Sequence, residues 1–453
     1  MRSTTRRRLG AFAASAVAVM VLATPVLPAA AQAPRPVTLV EALTLSAQKN
    51  HGLRAAAVEV KIARAQLAQA EAVKSGQIVL SASYTRVNMR EGSTMVIPPG
   101  TIPGITDPIV ITLPAPDPNV YSAAITYQVP LYSGGRIESQ IALVQANLRG
   151  AEAALERAKH QVVLDVKQAY FQMLLAQAGV EVAARAVTAA DENLRVARAR
   201  VAAGVSPRFD EVQAEVSQAN ARQGGIRARN SLALAQHGLN ALMALPLDTV
   251  LQPRETMTVV PIRGDTAALV RRALEGRPEL IEHRARVDMA LAAIEIARAG
   301  GRPAVVLSGG PSYGNASGSS VTTSGWAVTL AATVPLFDGG VTAQRVREAE
   351  AKVEQLREVE AQIRQGIELE VRRALLNFSS AAEEMAAADK AVELAQEGLR
   401  IANVRFAAGV STNLEVVTAQ ASLSQAEGNR ILALFNVNLA RAQLERAVGG
   451  AVE

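Results

Sequence analysis

One segment of this chain is repeated at a constant spacing of 205 residues. The sequence VPLYSGG at 129–135 recurs as VPLFDGG at 334–340, and RVAAGVS at 200–206 recurs as RFAAGVS at 405–411. The spacing holds over more than a hundred residues without an insertion or deletion. Such a repeat predicts two copies of one structural unit, each of fixed length.

The repeat divides the chain into two copies with a short region between them. Residues 32–245 form the first copy and residues 265–453 the second, each in the order helix, strand, loop, strand, long helix, turn, helix. Residues 246–264 hold three prolines and show no clear period, which indicates a connector. Residues 1–31 join four arginines, an apolar stretch and a small-residue ending, which predicts a cleaved secretory signal rather than a membrane anchor.

The composition argues against several classes of function. The chain has no cysteine, so disulfides, thiol catalysis and cysteine metal sites are excluded. Its four histidines are scattered without ligand spacing, and no nucleophile lies in a pattern with a base. Loss of the four signal arginines lowers the formal net charge from +6 to +2, and no basic patch for nucleic acid remains. We therefore expect no enzyme, no cofactor and no metal site.

Four segments alternate between apolar and small or polar residues, at 77–87, 120–131, 303–313 and 326–336. Strands of this length with one apolar face suit a lipid-facing barrel with a wet lumen. A half-buried strand in a soluble sheet has the same period. The aromatic residues favour the barrel, because interfacial girdles are rich in Tyr and Trp. The candidate interfacial aromatics are Tyr84, Tyr121, Tyr127 and Trp326.

Two long helices are predicted, at 136–203 and 341–408. Their apolar residues follow heptad spacing, which argues for coiled-coil packing, and each would be about 100 Å long. Shorter helices that could pair along them are predicted at 39–74, 207–245, 265–299 and 412–448. After the signal, no apolar stretch is expected to reach the ~20 residues of a membrane-spanning helix. If the chain crosses a membrane, it is expected to do so with strands.

Four strands cannot close a barrel by themselves. Open strand edges in lipid leave unpaired backbone groups that cost several kcal/mol each, so the chain must combine with copies of itself. Two copies give about eight strands and almost no lumen, whereas three give about twelve strands and a channel. The fold class that follows is an α+β membrane protein: a homotrimeric 12-stranded β-barrel with four strands per chain, continuous with a long α-helical coiled-coil tunnel.

The sequence resembles the TolC-type outer-membrane efflux proteins over nearly the whole mature chain. The segments that carry the resemblance are 405–420, its repeat mate 200–215, the Arg-Pro-Glu-Leu element within 273–280, and the turn PLFDGG at 335–340. The resemblance implies a homotrimer in the outer membrane whose helical tunnel extends into the periplasm. It also implies a periplasmic adaptor and an inner-membrane pump at the far end, with a duct that conducts passively.

The resemblance makes the two hairpin tips the periplasmic entrance, where the adaptor docks. The glycine of each tip suits a left-handed helix cap. The serine two residues later can start the return helix, and the arginines can hold a closed tip through ion pairs worth about 0–1 kcal/mol. The tip residues are Arg200, Gly204, Val205, Ser206, Arg405, Gly409, Val410 and Ser411.

Glu415 and its repeat mate Asp210 match an acidic position near the tip in the family, and we expect them at the pore constriction. In a trimer, Glu415 would form a ring of three carboxylates, which favours cations and resists closure through like-charge repulsion. Some relatives carry a second acid three residues further on, where this chain has Thr418. The alternative is a solvated glutamate on a helix surface.

Prolines and paired glycines mark the point where each second strand meets its long helix. Proline lacks an N–H and suits the place where strand pairing stops. The glycines permit a sharp reversal, and Ser133 or Asp338 can cap the following helix. The barrel–tunnel junction residues are Pro130, Gly134, Gly135, Pro335, Gly339 and Gly340.

The loop at 88–119 contains seven prolines and is about 20 residues longer than its counterpart at 314–325. Both loops are expected outside the cell, and the longer one is either a lid over the barrel mouth or an irregular exposed loop. The expected function is the outer-membrane exit duct of a tripartite efflux or type I secretion system. The alternative is a periplasmic coiled-coil scaffold without a channel.

Overall fold

The computed structural model describes residues 34–88, 94–112, 118–262, 265–315 and 321–452. The predicted signal at 1–31 lies outside these residues. The first half of the chain contains β1 (Arg35–Val37), α1 (Leu39–Lys49), α2 (His51–Ala72), β2 (Gln77–Arg86), β3 (Thr94–Ile97), β4 (Ile109–Thr112), β5 (Asn119–Tyr132), α3 (Arg136–Ala202) and α4 (Arg208–Leu242). The second half contains β6 (Leu251–Pro253), α5 (Thr266–Gly276), α6 (Pro278–Ala299), β7 (Ala304–Asn315), β8 (Thr322–Thr333), α7 (Val341–Ala407) and α8 (Asn413–Val448).

Two helices of equal length dominate the molecule. Helices α3 and α7 have 67 residues each, which makes each about 100 Å long. Helix α4 packs along α3 and α8 along α7, while α2 packs on α3 and α6 packs between α3 and α7. One 18-residue window of α3 is apolar enough, by length and composition, to cross a membrane. The expectation that no such stretch follows the signal was therefore too strict.

Four strands form one antiparallel sheet in the order β2-β5-β7-β8. Directly paired residues share a face of a sheet. One face is apolar, as where Leu80 lies opposite Ile125, and the other is small and polar, as where Ser83 lies opposite Ser122. Among the described residues, β2 and β8 each pair on one side only, so the sheet has two free edges.

One core cluster lies between α1, α3, α4 and the connector. Tyr170 and Met173 of α3 pack with Leu239 of α4 and with Val37 and Leu251 of the short parallel pair β1–β6. The Tyr170 hydroxyl donates to the Val37 carbonyl at 3.3 Å. Burial raises the pKa of Tyr170, so its hydroxyl stays neutral. A second cluster joins α5, α7 and α8.

The helices expected at 39–74 and 265–299 are each broken into two. At the first break Asn50 is extended (ψ 125°), and its Oδ1 accepts the N–H of Leu53 at 3.1 Å to begin α2. At the second break Arg277 is extended (ψ 128°), because the ring of Pro278 disfavours a helical conformation in the residue before it. Apolar periodicity continues across both breaks, which is why it did not reveal them.

Two predictions near the strands also need correction. The strand expected at 326–336 lies at Thr322–Thr333, so Val334 and Leu336 follow its end. Because β7 begins at Ala304, Thr333 is the last residue of β8 that has a partner. The segment 88–119, expected as a loop, contains the antiparallel hairpin β3–β4.

Candidate functional site

The two hairpin tips have the same backbone. Gly204 after α3 has φ +72°, and the next N–H, of Val205, donates to the carbonyl of Arg200 at 3.0 Å. Gly409 after α7 has φ +73°, with the equivalent bond from Val410 at 3.1 Å. This is the left-handed cap in which the chain folds back onto the last turn of the helix. The glycines therefore stand where the sequence placed them.

The return helices begin one residue later than expected. Their N-caps are Pro207 and Thr412 instead of Ser206 and Ser411, and neither N-cap forms a side-chain capping bond. The Ser411 hydroxyl is buried without a hydrogen-bond partner in the described part of the chain, as are both polar atoms of the Asn413 amide. The serines follow the left-handed glycine too closely to reach the first free N–H groups of the helix.

The arginines of the two tips make different contacts. The Arg200 guanidinium lies 4.3 Å from the centre of the Phe406 ring, and its Nη1 donates to the Phe406 carbonyl at 3.2 Å. Arg200 therefore joins the first tip to the second by a cation–π contact and a hydrogen bond, not by an ion pair. Arg405 instead pairs with Glu415 inside its own hairpin, with Nε 3.4 Å from Oε2.

Exposed apolar residues cover both tips. Val205 and Val410 are 66% and 68% exposed, and Phe209 and Leu414 in the first turns of the return helices are also exposed. Exposed apolar side chains concentrated at one end of a molecule mark an interaction surface. Sequence analysis did not single out Phe209 and Leu414, although both stand four residues after the predicted valines.

The predicted acidic position borders an open groove between α7 and α8. The groove has a volume of about 880 Å³, and its lining includes Arg405, Glu415 and Thr418. Glu415 lies in the first turn of α8 and Asp210 in the first turn of α4. Glu415 is paired with Arg405, whereas Asp210 forms no ion pair within the described ranges. The two acids are therefore equivalent in position and different in environment.

The junction prolines differ from each other. Pairing with β2 stops at Gln128, as expected near Pro130, but pairing with β7 continues through Tyr132 with a bulge after Pro130. Pro335 lies two residues beyond the end of β8. Pro130 is thus a strand residue at the end of one ladder, and Pro335 lies outside the sheet.

The paired glycines of both junctions have positive φ angles, +66° and +89° at Gly134 and Gly135, and +65° and +84° at Gly339 and Gly340. Capping follows the prediction at both sites. Ser133 Oγ accepts the N–H of Ile137 at 3.0 Å. Asp338 Oδ2 accepts the N–H of Thr342 at 2.8 Å, and its Oδ1 accepts that of Gly340 at 2.9 Å. The hydrogen bonds from Thr342 and then Gly340 hold the pKa of Asp338 below its usual range.

Arg302 is a junction residue that sequence reasoning missed. Its Nη1 donates to the Gly134 carbonyl at 3.0 Å, and its Nη2 lies 3.2 Å from Oε2 of Glu295. It therefore ties the entry to β7 to the turn between β5 and α3. No sequence signal identifies this contact, because the two residues are 168 positions apart.

The predicted aromatic residues lie at two levels of the sheet. Tyr84 and Tyr121 are paired at the end remote from the helices, where the Tyr121 and Tyr313 rings are 6.4 Å apart. Tyr127 lies at the helix end, with its hydroxyl 3.2 Å from the Ser75 carbonyl. Trp326 is 79% exposed on the apolar face. Aromatics at both ends of an apolar band are typical of a membrane-spanning sheet.

The charged side chains in the part of the chain that the structure describes can be compared with the geometry that a metal ion needs. No group of three or more His, Asp or Glu side chains there could hold a metal ion. A cluster of charges lies at the second helix break, where the buried Arg277 pairs with Glu279 and Glu370. Each carboxylate there is matched by an arginine, which is a structural arrangement.

The profile of the outer membrane efflux protein family matches residues 42–245 and 269–450. The chain is 23% identical over 420 residues to the cobalt-zinc-cadmium resistance protein CzcC of Cupriavidus metallidurans, covering 92% of this chain and 91% of that protein. It is 26% identical over 341 residues to the outer membrane protein TolC of Vibrio cholerae, covering 73% and 77%. The outer-membrane channel OprN superposes with a TM-score of 0.73 at 22% identity, over 91% of this chain and 90% of that one.

Proposed function

The chain belongs to the outer membrane efflux protein family, and from this premise we propose that it is the trimeric exit duct of a tripartite efflux or type I secretion system. It is an outer-membrane protein that extends into the periplasm. In the proposal, substrates pass from an inner-membrane pump and a periplasmic adaptor through the duct to the exterior, and the duct itself supplies no energy. Residues 1–31 are the signal, 32–245 and 265–453 the two repeats, and 246–264 the connector.

The four-stranded sheet with two free edges carries the proposal. Its apolar face requires lipid, and lipid does not tolerate unpaired strand edges. Strand direction alternates from β2 to β8, so β8 of one chain runs antiparallel to β2 of the next. Three copies close a ring of about twelve strands around a small, polar face, which is wide enough for a channel. The helices that continue from the sheet then form the tunnel.

Closure can be tested with cysteine pairs, because the chain has no native cysteine. Ser81→Cys in β2 is combined in turn with Ala327→Cys, Thr329→Cys and Ala331→Cys in β8, all on the polar face. Oxidation should link chains into covalent trimers for at least one of the three registers. Ser81→Cys with Ala124→Cys is the matched control, because these residues are paired within one chain and should give only monomers. Monomers throughout the β8 series would exclude the closed barrel.

Conduction is tested by single-channel recording of the purified mature protein in a planar bilayer. Glu415→Gln should reduce cation selectivity, since it removes a proposed ring of carboxylates at the constriction. Asp210→Asn tests the equivalent acid, which has no ion-pair partner within the described residues. Cation-selective steps that change in Glu415→Gln support the assignment. If the steps have the same cation selectivity in Glu415→Gln, the protein is still a channel, but Glu415 is a surface residue outside the constriction.

Adaptor docking at the tips is tested separately. Val205→Glu and Val410→Glu place a charge on exposed apolar side chains and leave the backbone caps of both tips unchanged. Both variants should keep the trimer and its conductance but lose capture of the adaptor. Folded protein that neither inserts into bilayers nor forms trimers would instead favour a periplasmic scaffold.

A further inference from the structure

The hairpin β3–β4 projects from the end of the sheet that is remote from the helices. Strands β2 and β5 are paired up to Arg86 and Asn119, and the N–H of Val87 still bonds the Pro118 carbonyl at 2.8 Å. The hairpin is therefore inserted at the outer mouth of the proposed barrel. It belongs to a separate sheet and makes no extensive contact with another described helix or strand.

Both faces of this hairpin are apolar. Met95 lies opposite Ile111 on one face, and Val96 lies opposite Val110 on the other. All four side chains are exposed, by 44% to 57%. Asp107 is the only charged residue in 94–112. The edges of both strands thus lack the charges by which exposed strands normally avoid pairing.

Neither water nor lipid suits such a hairpin. An isolated two-stranded hairpin is at best marginally stable in water, and this one exposes apolar side chains on both faces. In lipid its outer edges would leave N–H and C=O groups unpaired. Another hairpin of the same kind satisfies both needs, because it offers apolar side chains to the faces and hydrogen-bonding groups to the edges.

We propose that the β3–β4 hairpins of three chains pack against one another over the outer mouth of the duct and form an apolar cap. The proposal rests on the trimeric barrel proposed above, whose symmetry brings three identical hairpins to one axis. Strand order again permits antiparallel pairing from β4 of one chain to β3 of the next. The partner of this surface is therefore the same surface of a second and third copy.

The chain is long enough for this arrangement. The eight Cα–Cα steps from Arg86 to Thr94 can span up to about 26 Å. The wall of a 12-stranded barrel is ~12 Å from its axis, given the strand spacing and tilt. The loop between β7 and β8, residues 316–321, is too short to contribute a similar hairpin. The cap is therefore a property of the first half of the chain alone.

Cross-linking in intact cells tests the contact. Val96→Cys should be linked into dimers by a short bismaleimide, since one thiol per chain can join only two chains. Ile111→Cys tests the opposite face if the first variant fails to assemble. Thr323→Cys is the control at the same end of the barrel. Equivalent positions around the wall are about 20 Å apart, beyond the reach of the reagent, so the control should stay monomeric on denaturing gels.

A nitroxide label on Val96→Cys identifies what covers the hairpin. Spin–spin broadening that disappears when labelled chains are diluted with unlabelled ones is the result expected for packed copies. High collision rates with oxygen and no broadening would mean lipid, and high access of a water-soluble nickel complex would mean solvent. Either of these results overturns the cap.

Covering of the mouth is measured with Ser83→Cys, which lies on the polar face near the outer end of β2. A small maleimide should label it in intact cells, while a bulky polyethylene-glycol maleimide should react at least tenfold more slowly. Replacing 94–112 by a short Gly-Ser linker should remove that difference, and Asp107→Cys is the accessible control. Equal rates of labelling by the two maleimides in the protein with its hairpin would overturn the cap.

Failure of the cap and failure of the duct give different results. A conducting trimer whose hairpins do not cross-link refutes the cap alone, whereas loss of the trimer refutes the duct and the cap together.

Discussion

The two halves of the chain break their first helix at equivalent places and stabilise the break by different chemistry. Asn50 Nδ2 donates to the Leu242 carbonyl at the end of α4, at 3.1 Å. Arg277 Nη1 reaches the Ala447 carbonyl near the end of α8, at 3.5 Å. Leu242 and Ala447 are related by the 205-residue spacing of the repeat. The two side chains therefore satisfy the same backbone group.

The difference lies in what each side chain requires. Asn50 is neutral and serves as the cap of α2 at the same time. Arg277 is 4% exposed, and burial of a guanidinium is tolerated only with carboxylates beside it. Glu279 and Glu370 supply them, and Arg446 shares Glu370. In both halves the fold leaves a carbonyl at a helix end that needs a hydrogen-bond donor. The donor can be a neutral or a charged side chain, and a charged one requires carboxylates around it.

The largest difference in stability is expected when the side chains of Arg277 and Asn50 are each replaced. Arg277→Met leaves Glu279 and Glu370 partly buried without their main partner, which we expect to cost about 3–5 kcal/mol. Asn50→Ala removes a cap and should cost about 1 kcal/mol. Thermal and guanidinium unfolding of the detergent-purified protein, followed by helical circular dichroism, measures both. Equal losses would mean that the charges at the second break contribute nothing beyond the shared carbonyl bond.

Low pH should weaken the ion pairs of Arg277 without affecting the hydrogen bonds of Asn50. Burial raises the pKa of Glu279, but the hydrogen bonds from Arg277 outweigh it, and the net pKa lies below the usual range. A depressed pKa contributes stability above the unfolded value, near 4.3, that is lost as pH falls through the folded value. The gap between wild type and Arg277→Met should therefore narrow below about pH 4, whereas the gap for Asn50→Ala should not.

The glycine turns before α3 and α7 should differ in stability by a smaller amount. Gly134 and Gly339 have nearly the same positive φ, so alanine costs about 1–2 kcal/mol at either site. A Cβ at Gly134 would also lie 2.7 Å from Cβ of Arg302, whereas a Cβ at Gly339 meets nothing within 4 Å. Overpacking adds about 1–3 kcal/mol at the first site. Gly134→Ala should therefore unfold at lower temperature than Gly339→Ala.

Asparagine separates the two contributions at the junctions. Asn accepts the left-handed conformation with little strain. Gly339→Asn should be close to wild type, while Gly134→Asn should remain destabilised by the contact with Arg302. If both asparagine variants match wild type, the close approach of Arg302 does not constrain the turn.

Replacing the arginine of each tip should change the separation of the two tips more than it changes the stability of the protein. Arg200→Ala removes a cation–π contact and a hydrogen bond between the tips, together worth about 1–2 kcal/mol. Arg405→Ala breaks an exposed ion pair inside one hairpin, worth about 0–1 kcal/mol. Spin labels on Ala203→Cys and Ala408→Cys should show a separated population that rises several-fold only in Arg200→Ala. Arg200→Lys, which keeps the charge without the planar group, should give an intermediate result, and identical distance distributions in all variants would show that Arg200 does not join the tips.

Much of this arrangement could be predicted from the sequence, and the exceptions have physical reasons. Period-two alternation fixed the two faces of the sheet, because pairing of neighbouring strands preserves it. Alternation could not locate the end of β8, since Val334 and Leu336 continue the pattern after the partner strand has ended. The break at Arg277 had a visible signal in Pro278, whereas Asn50 had none apart from its place in the repeat.

The side-chain contacts of the site were harder to predict than its backbone. Left-handed glycines follow from local chemistry, so the sequence predicted the positive φ angles at Gly204, Gly409 and the two glycine pairs. The Arg200–Phe406 contact joins residues 206 positions apart and depends on how four helices pack. Its one trace in the sequence is the replacement of Val201 by Phe406 in otherwise matching segments.

The smallest difference concerns the caps of the two long helices. Asp338 caps α7 with a carboxylate, while Ser133 caps α3 with a hydroxyl. The hydrogen bonds that Asp338 accepts lower its pKa, so its contribution is present above an unfolded pKa of about 3.9 and is lost as pH falls through the lower folded value. Asp338→Ser should therefore destabilise the protein slightly at pH 7. In strong acid it should have no effect, because Asp338 is then protonated and no longer carries the charge that the serine lacks. Ser133→Asp should acquire the acid dependence that Asp338→Ser loses, since an anion at a helix N-terminus is favoured by the helix dipole. Melting temperatures of wild type, the two single variants and the double variant, measured between pH 3 and pH 7, test this prediction. If the acid dependence is the same whether or not an aspartate caps either helix, the charge of the cap is fully screened.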